Sequence, residues 1–158
     1  ALDWRETDIY LLKSNGIWRW VPEKNGLLFC DLADLRSETF FAAPHLKVAP
    51  VHIVYVSNRP RTETLISRLG EGVVEKLRHS AWTPEKLEEM RTRSMIIDVG
   101  AKIQAVYMAA AAMDLSCVAR TGFDARHVER ILRLQKGESV VAIQTLGYRP
   151  NSILDAIK

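Results

Sequence analysis

The stretch from Ser94 to Tyr148 constrains the fold more than any other part of the chain. It reads as a long apolar helix over Met95 to Leu115, a short segment SCVARTGFD (Ser116 to Asp124), an amphipathic helix over Ala125 to Leu134, and an apolar strand over Ser139 to Leu146 closed by Gly147-Tyr148. Ser94 stands where a cap of the long helix belongs. From Ile103 onward that helix has almost no polar face, with Ala109 to Ala112 in a row. A helix that is apolar all round has to be buried on all sides. A chain of 158 residues is one domain by length, so the pattern predicts that a partner subunit covers one side. The shorter helix separates its faces: Val128, Ile131, Leu132 and Leu134 on one, Arg126, Glu129, Arg130 and Arg133 on the other.

The first half is punctuated by turns. Asp8 to Leu12 is β-branched and aromatic and predicts a strand. Asn15-Gly16 follows as a hairpin dipeptide, and Ile17 to Val21 alternates as a half-buried strand does. Pro22 to Gly26 is a second turn and Leu27 to Cys30 a third strand, giving an antiparallel meander. Asp31 to Phe41 predicts short helical turns capped by Asp31 or Asp34. Val51 to Ser57 is nearly continuous and β-branched, as a buried central strand is. Arg61 to Arg78 predicts a helix interrupted at Gly70 and Gly72. Thr83-Pro84-Glu85-Lys86 is a helix start, and that charged helix is expected to end near Arg93.

Composition narrows the function. The 22 basic residues are interleaved with 19 acidic ones, for a net charge of +3. A nucleic-acid surface needs basic charge clustered on one face. Cys30 and Cys117 stand in apolar surroundings and predict buried free thiols, which fits a reducing, cytoplasmic setting. The longest apolar run, Ile103 to Met113, is too short to span a bilayer. The four histidines lack metal spacing, and no nucleophile elbow or phosphate-binding glycine motif occurs. His52 reads as a satisfied sheet residue, and Trp18 and Trp20 as packing on one sheet face. The chain opens on Ala1, so a processed or N-terminally shortened single domain over residues 1–158 is expected.

The SCVARTGFD segment is the candidate for chemistry. Backbone N–H groups in a tight segment can meet charge that develops on a ligand without any charged side chain. Gly122 permits close approach of a ligand to the backbone, and Asp124 can cap the next helix. The same residues would also serve as a plain strand–turn–helix connection.

The order of elements from Ser94 to Tyr148 resembles the C-terminal half of the FMN-dependent nitroreductase family. Trp18 to Cys30, Asp34 to Arg36 and Ala49 to Ser57 resemble the branch related to thiazole- and oxazole-forming dehydrogenases. The resemblance implies an α+β fold, with a mixed, mostly antiparallel sheet flanked by helices in an intertwined homodimer. It implies FMN as cofactor and NAD(P)H as electron donor. It also implies ping-pong hydride transfer through flavin N5 to a nitroaromatic, quinone or similar flat acceptor, with no membrane or nucleic acid involved. Ala119 to Gly122 match the family's flavin-facing segment, so the Thr121 and Gly122 amides would point at N5 and O4. Ala119 and Arg120 depart from the common residues there, and Arg120 would touch the flavin pyrimidine. Asp3 stands where many relatives have an asparagine that contacts flavin from the opposite subunit. Arg149, in GYRP, is the candidate for the FMN phosphate. The family's N-terminal arginine cluster for that phosphate has no counterpart in the sequence. Without it the chain would be a non-catalytic or fragmentary relative that binds no flavin or another flat ligand. The Lys-Tyr pair that serves azoline oxidation is also missing, with Arg91 to Ser94 near its expected place.

Overall fold

The computed structural model describes residues 6–40, 49–68, 75–76 and 83–149. Strands β1 (Thr7–Lys13), β2 (Gly16–Val21), β3 (Gly26–Asp31), β4 (Val51–Asn58), β5 (Leu115–Arg120) and β6 (Glu138–Tyr148) form one six-stranded sheet in the order β3-β2-β1-β4-β6-β5. Every neighbouring pair is antiparallel. Helices α1 (Arg59–Arg68), α2 (Pro84–Ala112) and α3 (Ala125–Ile131), with short 3-10 turns at Pro22–Lys24 and Ser37–Thr39, complete these elements. Gly70, Gly72 and Arg78 lie outside the described residues.

The strands alternate their side chains between two layers. One face carries Leu12, Val54, Val56 and Ile143, closed by Val128 of α3 with Phe123, Leu132 and Leu134. The other carries Ile53, Tyr55 and Ala142 against Val99 of α2, with Met95, Ile103 and Val106 around them. The central position of β4 follows from its β-branched run: His52 to Ser57 are all buried.

The β1–β2 turn lies one residue earlier than the Asn-Gly dipeptide suggests. Lys13 pairs with Gly16, so Ser14 and Asn15 form the loop. Gly16 adopts φ +124, and a Cβ there would lie 2.3 Å from the Asp31 carbonyl oxygen. Both the backbone angle and the contact exclude a side chain. Gly16→Ala is expected to cost at least about 2 kcal/mol, read as a lower urea midpoint with an unchanged slope.

Two expectations need correction. The break predicted between Arg93 and Ser94 does not exist: α2 runs unbroken for 29 residues. Thr83 caps it, accepting from the Lys86 amide at 3.3 Å. Just before the expected break Arg91 is held by Glu6 and Glu88, so the charged part is tied down. Within one protomer the long helix keeps the exposed side that the sequence assigns to a partner subunit. Only Val99 and Ala110 are fully buried, whereas Ile97 and Met108 are each 66% exposed. Finally, Cys30 is exposed and Cys117 intermediate rather than both buried, because β3 is an edge strand.

Candidate functional site

The SCVARTGFD segment takes the strand–turn–helix form. Leu115 to Arg120 pair with β6 from Tyr148 to Ile143, and only Thr121 to Asp124 connect β5 to α3. Asp124 caps α3, its Oδ1 accepting from the His127 amide at 3.0 Å. Phe123 N donates to the Thr121 carbonyl at 3.1 Å, which tightens the turn. Thr121 and Gly122 are exposed, and among the described residues neither of their amides donates a hydrogen bond. A Cβ at Gly122 would meet nothing within 4 Å. Two adjacent N–H groups at the end of β5 thus lack an acceptor among the described residues.

The side chains leading into this turn point elsewhere. The Ala119 amide donates to the Tyr107 hydroxyl of α2 at 2.7 Å. Arg120, half-buried, turns to the sheet face of its cross-strand partner Ile143. Its Nη1 donates to the Thr39 carbonyl at 2.6 Å and its Nη2 to Thr39 Oγ1 at 2.7 Å. Nε reaches Thr145 Oγ1 at 3.5 Å, and the guanidinium carbon lies 4.8 Å from the Phe40 ring centroid. Burial alone lowers the Arg120 pKa, and among the described residues no carboxylate pairs with it. His52, fully buried, has Nδ1 2.8 Å from the same Thr39 hydroxyl.

On the opposite face Gln144 accepts from the Tyr55 hydroxyl at 2.6 Å and donates to Cys117 Sγ and to the Ile103 carbonyl. Burial pushes the Cys117 thiol up, and the Gln144 hydrogen bond only partly offsets it. That thiol is therefore a poor nucleophile.

Arg149 does not join the turn. Its Nε lies 3.2 Å from Asp114 Oδ1 at the start of β5, whereas Thr121 follows the end of that strand. At about 3.3 Å per residue the two ends are roughly 20 Å apart. A ligand seated on Thr121 and Gly122 would have to span the length of β5 to meet Arg149 as well. Asp3 lies outside the described residues.

A cleft of about 560 Å³ opens where β2 leaves β1, between Thr7–Ile9 and Trp20–Val21. Its walls bear the Asp8–Arg61 and Asp98–Lys102 ion pairs. Sequence reasoning passed over Thr39, Phe40 and Tyr107, which brace the turn. Thr39 and Arg120 are 81 positions apart, and no local pattern links them.

A six-stranded antiparallel sheet with a long helix on one face defines, among the described residues, an α+β protein. The chain belongs to the nitroreductase family, whose model matches residues 13–148. Its fold is shared by a protein assigned as a nitroreductase from Ralstonia eutropha (TM-score 0.68, 24% identity, 92% of this chain and 59% of that one). A protein with the same assignment from Anabaena variabilis is similar (TM-score 0.67, 19% identity, 92% of this chain and 28% of that one). So is a chain of the Escherichia coli microcin synthetase McbBCD complex with truncated pro-MccB17 bound (TM-score 0.63, 10% identity, 92% of this chain and 53% of that one). The chain thus spans 59% or less of the length of these three structures. No curated protein sequence matches it.

Proposed function

We propose that the chain forms the ring-binding part of an FMN-dependent NAD(P)H oxidoreductase, acting on a nitroaromatic, quinone or similar flat acceptor. The observation that carries this reading is the pair of open amides at Thr121 and Gly122, set at the family's flavin-facing segment. FMN, when bound, supplies the hydride relay between donor and acceptor. The protein's part is binding, orientation and electrostatics. The Thr121 and Gly122 N–H groups donate to the ring edge where negative charge gathers on reduction, and they do so without reorganising. No side chain is required as acid or base. Arg149, at the far end of β5, is the candidate to meet the phosphate. Steady-state rates at varied NADPH and varied menadione test the activity. Parallel double-reciprocal lines are expected, and intersecting lines would exclude a ping-pong order.

The working unit in this proposal is a homodimer. Helix α2 leaves Ile97, Ala101, Gln104, Ala105 and Met108 in one exposed row. By length and composition α2 is also long and apolar enough to cross a membrane, though little of it is buried within the protomer. Its small side chains and the Asp98–Lys102 pair suit close packing against a second helix. Met108→Glu is expected to raise the dimer dissociation constant at least tenfold, read by sedimentation equilibrium.

A further inference from the structure

The geometry points to Arg120 as a positioning residue that, with Tyr107, holds the Thr121–Gly122 amides in place. This rests on the reading of those amides as the ring contact, but the brace itself is independent of any ligand. An edge strand has a partner on one side only, and its last residues fray unless something ties them down. β5 is such a strand among the described residues, where it pairs with β6 alone. Two ties replace the missing neighbour, one from each face. On the α2 side the Tyr107 hydroxyl accepts from the Ala119 amide at 2.7 Å. On the other, the Arg120 guanidinium clamps Thr39 through both its carbonyl and its hydroxyl. The Phe40 ring lies against it. Thr39 is itself fixed: it is 1% exposed, and its hydroxyl also contacts the Arg36 carbonyl and His52 Nδ1.

The planar fork of arginine matters here. It makes two short bonds to one residue and presents a flat face to an aromatic ring, which a lysine ammonium cannot do. The residues on either side of the turn are thereby fixed. Phe123 packs against the core below, and Asp124 caps α3. The two amides between them are held without being used. Preorganised donors of this kind stabilise developing charge because they need not move.

The test uses the full chain, by ¹⁵N relaxation and by FMN titration. In the parent protein the Thr121 and Gly122 order parameters should be those of rigid backbone, about 0.85. In Arg120→Met they should fall below about 0.6, with Arg120→Lys close to Met because the fork is lost. FMN affinity should drop about tenfold in the same variants, and the midpoint potential of the bound flavin should become more negative. Val128→Ala, which weakens the core on the α3 side, serves as the control: it should lower Tm and leave both order parameters unchanged. Rigid amides in Arg120→Met would overturn the brace. So would order parameters that fall equally in Val128→Ala, since the effect would then be general destabilisation. If the parent binds no FMN, the proposed activity fails, while the order parameters still decide the brace.

Discussion

Gly122→Val is expected to leave the fold intact and raise the FMN dissociation constant at least about 100-fold, a loss of about 2.7 kcal/mol. A Cβ at this position would meet nothing within 4 Å beyond its chain neighbours, and Gly122 is not among the positive-φ residues. Nothing in the fold therefore opposes the substitution. The new branched side chain instead occupies the space over the two amides, where the ring edge has to come within hydrogen-bond distance. Circular dichroism and the urea midpoint should match the parent, while flavin fluorescence quenching on titration disappears. A variant that binds FMN as the parent does would place the ring elsewhere.

Glu6→Ala is expected to produce the largest loss of stability outside the glycine turns. Glu6 is 2% exposed and accepts from Ser57 Oγ at 2.5 Å, from Thr62 Oγ1 at 2.9 Å and from Arg91. Removing one partner of a buried ion pair leaves the other charge uncompensated. Glu88 still pairs with Arg91, so the cost should be about 3 kcal/mol, at the low end for such pairs. The carboxylate also makes the fold acid-sensitive. Burial pushes the Glu6 pKa up, but the hydrogen bonds from Arg91, Ser57 and Thr62 and the Arg91 charge outweigh it, so the net shift is downward. A carboxyl lowered in the folded state contributes stability fully above its unfolded pKa. That contribution is lost as pH falls through the folded value. Urea midpoints measured from pH 7 downward should fall in the parent at acid pH, and fall less steeply in Glu6→Ala.

The parts of the fold legible in the sequence are those where local pattern and tertiary burial agree. The β-branched run Val51 to Ser57 states its own burial. The meander is written in its turns, and only the turn register shifts, because Gly16 is needed to approach Asp31 rather than to form the loop centre. Asp124 and Thr83 were legible as caps because capping is a local bond. The continuity of α2 was not, because the Glu6–Arg91 contact joins residues 85 positions apart. β5 was legible only as one of two readings of its segment. Apart from Val118, Ser116 to Arg120 are small or polar, and their strand character comes from the β6 ladder and from Tyr107. Of the candidate site, the Thr121–Gly122 turn could be read from the sequence. The direction of Arg120 could not, since Thr39 determines it from a distant part of the chain. Arg149 reads locally as a loop cation beside the family's phosphate position, but the antiparallel register sends it to the far end of β5.

The central claim is that the Thr121–Gly122 turn binds the FMN ring. Its most direct test is the visible absorbance of the purified chain after incubation with excess FMN and removal of the unbound fraction. The account predicts flavin bands that travel with the protein and bleach on anaerobic addition of NAD(P)H. Protein that emerges colourless at every FMN concentration tried would contradict it.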